Sequence, residues 1–385
     1  MNKFKMKTGK YKGIKIPCFL FLAAVLLNII GWNSQRFCDW YVENIFSFWV
    51  ETYGRITGLF SFSIGEWLLY LAVLLICILL LWSIWEACKK ILKRTKDQSS
   101  KYYVGYVKFI IWTVGIVSLL MTFTCFLTFH VSPIYERYLV GTGVEREYDL
   151  AEIEALRDYV VTRANALAQE MERDENGYLV YNGDLKEQAK KQMRRMGNVF
   201  PTLIGYYPNP KPLYTSDFFS QQYMTGYYFP FSMEANYNSQ MYVINMPTTM
   251  CHELSHLKGF LYEDEANFIA YLACVDSGDS FFEYSAYMSI LYYLDSDFYE
   301  ATGQNAAYYY QHPVISDQVI EDDKFLTPEA WEEVEKDAVF DTEFVKAASD
   351  MVVETNLTIN GVEDGKISYS RVVDLLLRYY DGILY

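Results

Sequence analysis

The chain has 385 residues, 52% of them hydrophobic and 18% aromatic, with a formal net charge of −15. Residues 1–130 carry 15 of the 33 Lys and Arg and 6 of the 48 Asp and Glu, which leaves 18 basic and 42 acidic residues for the remainder. So acidic a body excludes nucleic acid as a partner, because phosphate binding needs a positive surface.

Three apolar runs dominate the first 130 residues: 16–32, about 67–85, and 107 to about 129. Each is near the ~20 residues that cross a bilayer, and each holds at most one charge near an end. Trp32, Trp40, Trp67, Trp85, Tyr102 and Tyr103 cluster where the runs end, as headgroup-level aromatics do. The first run is long and lacks a small-residue cleavage pattern, so it reads as a retained anchor and not a signal peptide. Lysines set the orientation. Lys3, Lys5, Lys7, Lys10, Lys12 and Lys15 precede the first run, and Lys89, Lys90, Lys93, Arg94, Lys96 and Lys101 lie between the second and third. The connection between the first two runs offers only Arg36 and Arg55 amid Asp39, Glu43 and Glu51. The positive-inside rule then places the N-terminus in the cytoplasm and everything after about residue 131 outside the cell membrane. The expected division is a three-span anchor over 1–130 and an extracytoplasmic domain over 131–385.

In that domain a helix is expected from Tyr148 to Arg173, opened by a capping box of Asp149 with Glu152 and carrying an apolar stripe of Ile153, Leu156, Val160, Ala164 and Leu167. A basic helix spans about Asp184 to Met196, and the Pro- and Gly-rich stretch 198–216 reads as loop. Residues 226–245 read as a β-hairpin or two short strands, with turn signals around Asn236 and Asn238. A helix starts near Thr248 or Thr249 and runs to Lys258, where Gly259 stops it. Another runs from Glu263 or Asp264 to about Cys274, and further helical patterns cover 283–296, 328–353 and 367–380. The body is therefore mainly α, of α+β type with a small sheet. Of seven cysteines only Cys251 and Cys274 fall in it, and no CxxC pair occurs, which excludes a disulfide framework or a zinc knuckle. One bridge between those two stays open.

The chemistry is concentrated in Cys251-His252-Glu253-Leu254-Ser255-His256, an HExxH pattern on a predicted helix. Four residues advance a helix a little beyond one turn, so His252 and His256 share a face and can hold one Zn²⁺ between them. Glu253 lies beside the metal, placed to take a proton from a zinc-bound water and so direct its attack. The chain has only four histidines, and two fall in this pattern. A catalytic zinc needs a third protein ligand and an open fourth position. Glu263 is the first choice, because Asn267 follows it at i+4 on the same face and can orient a ligand histidine from the second shell. Glu265 lies on another face and ranks second. Mn²⁺ or Co²⁺ suits the same ligands.

HExxH followed by ExxxN on a second helix resembles the gluzincin metallopeptidases, with a shorter connector than thermolysin-like enzymes have. The string EDEANFIAYLA is similar to the segment found in regulatory peptidases that cleave phage and stress repressors. Over most of the chain, FSFSIGEWLLY, YYFPFSMEANYN, CHELSHLKGFLYEDEANFIAYLAC and SYSRVVDLLLRYY resemble a bacterial membrane family known as domain of unknown function 3810. The resemblance implies that anchor and zincin-like domain belong together, and it implies no substrate.

Tyr284, Tyr287 and His312 are candidates for a donor to the developing oxyanion, although any one of 35 tyrosines is more often packing. Glu234 and Asn236 either line a substrate cleft or close a turn, and Arg371 either binds a substrate carboxylate or decorates a helix. The expected activity is a membrane-anchored zinc metallopeptidase acting on a peptide, a protein or a cell-envelope peptide. The alternatives are a non-catalytic membrane sensor or scaffold built on a zincin fold, and an amidase acting on wall material.

Overall fold

The computed structural model describes residues 13–93, 100–138, 147–359 and 371–385, the side chains of 93 and 356–359 aside. Lys3 to Lys12, Arg94 and Lys96, on which the orientation reading leans, and residues 367–370 of the last predicted helix lie outside these. Three long apolar helices open the chain: α1 (Lys15–Asn33), α2 (Ile64–Lys93) and α3 (Lys101–Thr124), the last extended by a 3-10 turn over Phe126–His130. Stretches of 19, 29 and 30 residues with mean hydropathy 1.9, 2.7 and 2.2 are long and apolar enough to cross a membrane. Their sides present Phe19, Leu26, Leu71, Leu80, Phe109 and Ile116, all exposed. Such surface is suited to lipid and not to water.

α1 and α3 pack closely. A Cβ added at Gly115 would lie 2.7 Å from the Pro17 carbonyl oxygen, so only glycine permits the approach. Asn28 Nδ2 donates to Thr122 Oγ1 at 2.8 Å across the same seam. α2 stands apart from this pair and meets α3 through Leu75 to Glu86.

The connection between α1 and α2 is helical almost throughout, from Gln35–Tyr41 to Arg55–Thr57, with π-helical turns at Val42–Phe46 and Val50–Gly54. Its charges read as those of a plain loop, yet every turn buries a residue. Cys38, Tyr41, Val42, Phe46 and Val50 belong to the same hydrophobic core as Leu254, Leu257 and Phe268 of the body. Gly259, with φ +92°, turns the chain where a Cβ would meet Phe46 and Val42 at 3.3 Å.

In the body, α4 (Leu150–Ala168) opens with the expected capping box: Asp149 N donates to Glu152 at 2.8 Å, and Glu152 N to Asp149 at 3.2 Å. α5 (Leu185–Met196) is capped by Asp184 and ends on Arg194 and Arg195, which suit the helix dipole. The sheet has three strands, β1 (Lys211–Pro212), β2 (Gly226–Phe229) and β3 (Glu234–Tyr237), in the order β1-β3-β2. β1 runs parallel to β3; β2 is antiparallel to it, with Gly226 opposite Tyr237 and Phe229 opposite Glu234. The hairpin turns at Pro230–Met233, earlier than the Asn236 and Asn238 signals suggest. Pro230 cannot donate to a ladder, and Met233 takes up φ 53°. Asn236 is inside β3.

α6 (Met246–His256) starts before the expected Thr248, because Pro247 suits a first helical turn. It is followed by α7 (Glu263–Val275) and α8 (Ser280–Ala301). The stretch expected as one helix over 328–353 is two, α9 (Pro328–Asp337) and α10 (Thr342–Ile359), since Asp341 caps the second by accepting from Phe344 N at 3.1 Å. α11 (Val372–Tyr380) closes the fold. The protein is mainly helical with a small mixed sheet, and α6 is packed among α5, α7, α8 and the sheet.

Two buried carboxylates tie α2 to the body. Glu234 accepts from the backbone N–H of Ile64 at 3.2 Å and of Gly65 at 2.6 Å, and pairs with Lys211. Glu66 reciprocates from α2, accepting from Tyr214 N at 2.7 Å and from Thr215 N at 2.8 Å. Glu234 thus satisfies the free donors at the start of α2.

Candidate metal centre

His252 and His256 lie on one face of α6, as the four-residue spacing requires, with ring centroids 4.5 Å apart and planes at 84°. Each ring is held by its Nδ1. That of His256 donates to the Phe260 carbonyl oxygen at 2.7 Å, and that of His252 lies 2.8 Å from Asn267 Oδ1 on α7. A carbonyl oxygen can only accept, so Nδ1 carries a proton and Nε2 is the atom that can turn a lone pair to a metal. Both Nε2 atoms face Glu263, whose Oε2 is 3.1 Å from that of His252 and 3.7 Å from that of His256.

Three ligand atoms within 4.8 Å of one another form a group that can hold a metal ion. Tetrahedral zinc with bonds of about 2.0–2.1 Å keeps its ligand atoms roughly 3.3 Å apart. The two separations from Glu263 bracket that value, so the group is of the right size and chemistry for zinc. The electrostatics agree. Burial opposes charge on His256, but the Glu263 carboxylate outweighs it and raises the imidazole to about 9. Burial likewise opposes charge on Glu263, and His256 and His252 overcome it, holding the carboxyl far below its usual range.

Glu253 points from α6 toward the sheet. It is buried, and its Oε2 has no hydrogen-bond partner among the described residues. Burial is the chief cause of its rise to about 7, opposed by His252 and His256. Gly226 of β2 makes the room: a Cβ there would sit 2.5 Å from Glu253 Oε1 and 2.8 Å from the Asn236 carbonyl oxygen. On the other side of α6, the Cys251 and Cys274 thiols are 3.8 Å apart and free.

The other sequence candidates lie elsewhere. Glu265 faces away from the histidines, accepting from Ile134 N at 2.6 Å and lying 3.5 Å from Arg137, and thereby fixes the segment after α3. Tyr284 donates to Asp322, Tyr287 is paired with Tyr159, and His312 with Asp158. Asn236 donates to the Tyr227 and Glu234 carbonyls inside the sheet. Arg371 stands 3.5 Å from Asp264, one residue from Glu263, and so braces the first turn of α7.

Two tyrosines that sequence reasoning did not single out feel the charge of the group. Tyr227 and Tyr293 both titrate above the ordinary range, chiefly through burial, with Glu253 and Glu263 adding to the first and Glu263 to the second. Nothing in the sequence separates them from the other tyrosines. The Phe260 carbonyl was equally invisible, because a backbone acceptor has no residue signature.

Asn267→Ala is expected to weaken zinc binding about 10- to 100-fold, since His252 loses the partner that fixes its tautomer. Competition with a chelator of known affinity would measure it, and unchanged affinity would deny Asn267 this role.

Comparison with the curated proteins and with the solved structures finds no match. Compared with protein families, the chain is matched over residues 41–377, from the inter-span helix through both later spans and the metal group to α11, and it belongs to the family described as "Protein of unknown function (DUF3810)".

Proposed function

We propose that this protein is a membrane-anchored zinc metallopeptidase acting outside the cytoplasmic membrane, with His252, His256 and Glu263 as metal ligands and Glu253 as general base. The observation that carries the reading is the convergence of two Nε2 atoms and one carboxylate oxygen, with both rings locked from behind, beside a buried carboxylate that has an oxygen to spare. A zinc ion held there supplies Lewis acidity and makes a water acidic enough to ionise near neutral pH. Glu253 takes the proton at its free Oε2 and delivers it to the leaving amine nitrogen. Asn267 and the Phe260 carbonyl keep the imidazoles aimed, and the hydroxyl of Tyr227 or Tyr293 donates to the developing oxyanion. β2 is an edge strand, and an extended peptide can pair with it while its scissile bond reaches Glu253.

A sensor or scaffold would gain nothing from Glu253. A buried carboxylate oxygen without a partner costs stability, and the cost is tolerated where the group has work to do. The first test is zinc content of the purified full-length chain, wild type beside Glu263→Ala and Glu265→Ala. Zinc is expected in the wild type and in Glu265→Ala, and lost in Glu263→Ala. A zinc-replete wild type without metal would overturn the reading.

A further inference from the structure

The metal group sits near the end of α3, and β2 beside it touches the start of α2, which bears on what the group can cleave. Tyr228 Oη donates to the Thr124 carbonyl oxygen, the last residue of α3, at 3.1 Å. The same side chain lies 6.2 Å, ring to ring, from His256. One tyrosine therefore bridges the end of a span and a metal ligand. Tyr262, next to Glu263, donates to the Phe129 carbonyl oxygen at 2.8 Å. Ahead of α2, Leu59 is 83% exposed and Phe60 and Phe62 are 44% and 47% exposed. Such a segment suits the apolar face of a bilayer interface and is ill suited to water.

The helices also splay at this end. Successive residues of a strand point to opposite faces. Tyr228 reaches the end of α3, while Phe229 packs on Gly65 at the start of α2, where a Cβ would fall 2.5 Å from the ring. β2 thus stands between the two helix ends. Farther down the helices touch directly, through Tyr106 Oη on the Leu75 carbonyl oxygen at 2.7 Å and Ser83 Oγ with Tyr103 Oη at 3.0 Å. From Ile64 to Leu75 the helix descends about 16 Å, roughly half the ~30 Å hydrocarbon depth. The two helices thus leave an apolar wedge below β2, at the level where Leu68 and Leu71 of α2 are exposed.

Resting on the peptidase reading, we infer that the substrate is a polypeptide anchored in the same membrane. The end of its transmembrane helix enters the wedge between α2 and the α1–α3 pair, and its first extended residues outside the bilayer lie along β2. An extended backbone inside lipid has unsatisfied N–H and C=O groups, so the chain unwinds only where it leaves the hydrocarbon, which is the level of β2. The bond presented to Glu253 is then a few residues from the anchor.

The test uses the full-length chain in zinc-loaded proteoliposomes. A pool of peptides with a randomised stretch is offered free, joined directly to an apolar bilayer-spanning helix, or joined to that helix through a long Gly/Ser spacer. Released fragments are sequenced by mass spectrometry, with Glu253→Gln as the blank. Cuts confined to the directly joined pool and close to the helix, at least about tenfold faster than in the free pool, are the expected result. Equal cutting of all three pools would overturn the inference and leave the peptidase reading standing. Faster cutting of both anchored pools, spacer included, would show simple co-localisation and also overturn it. Lipid headgroup release without peptide cleavage would overturn it in favour of a lipid substrate. If zinc-loaded protein cleaves none of the pools, the peptidase reading itself falls, and this inference with it.

Discussion

Glu253→Gln is expected to keep its full complement of zinc and to lose peptide hydrolysis by about 10²–10⁴-fold, the range for removal of a general acid–base group. The amide matches the carboxylate in volume, so the close fit against Gly226 and the Asn236 carbonyl survives. What disappears is an acceptor for the proton of the attacking water, and later a donor to the amine. The metal ligands are on a different side of the residue, and their hydrogen bonds to Asn267 and the Phe260 carbonyl are untouched. Zinc by elemental analysis and turnover on any peptide the wild type cleaves would be measured together. Full activity with full zinc would remove Glu253 from the mechanism. Loss of both would show that it holds the site together instead.

The second large effect is structural. Glu234→Ala is expected to destabilise the protein by about 3–5 kcal/mol, because it leaves Lys211 buried without its counter-charge. Among the described residues Lys211 has only the Thr57 carbonyl oxygen as its other acceptor, at 2.8 Å. The N–H groups of Ile64 and Gly65 lose their acceptor as well, at the point where α2 meets the body. Glu234→Gln should lose less, since its side-chain oxygen can still accept from Gly65. Denaturant unfolding in bicelles, followed by tryptophan fluorescence, would measure both. A loss below about 1 kcal/mol for the alanine variant would mean that Lys211 finds other solvation, as exposed pairs do.

Much of the candidate site was legible in the sequence because its rules are local. The i, i+4 spacing of His252 and His256 is a property of one helix. The same spacing of Glu263 and Asn267 turns both side chains of the next helix toward the histidines. The ranking of Glu263 above Glu265 followed from helical geometry alone, and Glu265 indeed turns to Ile134. The apolar spans and the Asp149–Glu152 capping box were equally readable. Errors came where a residue's role depends on something distant in the chain. Glu234 looked like a turn or cleft residue and proved to cap a helix 170 residues earlier. The connection between α1 and α2 carries Arg36, Asp39, Glu43 and Glu51, from which the orientation alone was read. Its buried face is a narrow stripe matched to the back of α6 and to Gly259.

The sequence by itself determined the three long apolar helices, the histidine pair on one helix face, the carboxylate beside it and Glu263 as the third member of the group. Each of these rests on composition or on a period within one element. Only the tertiary structure decided what fixes the two imidazoles from behind and how near the group lies to the end of α3. Those are contacts between segments far apart in the chain. They depend on the packing of β2 against α6, α2 and α3, for which no local pattern of residue types exists.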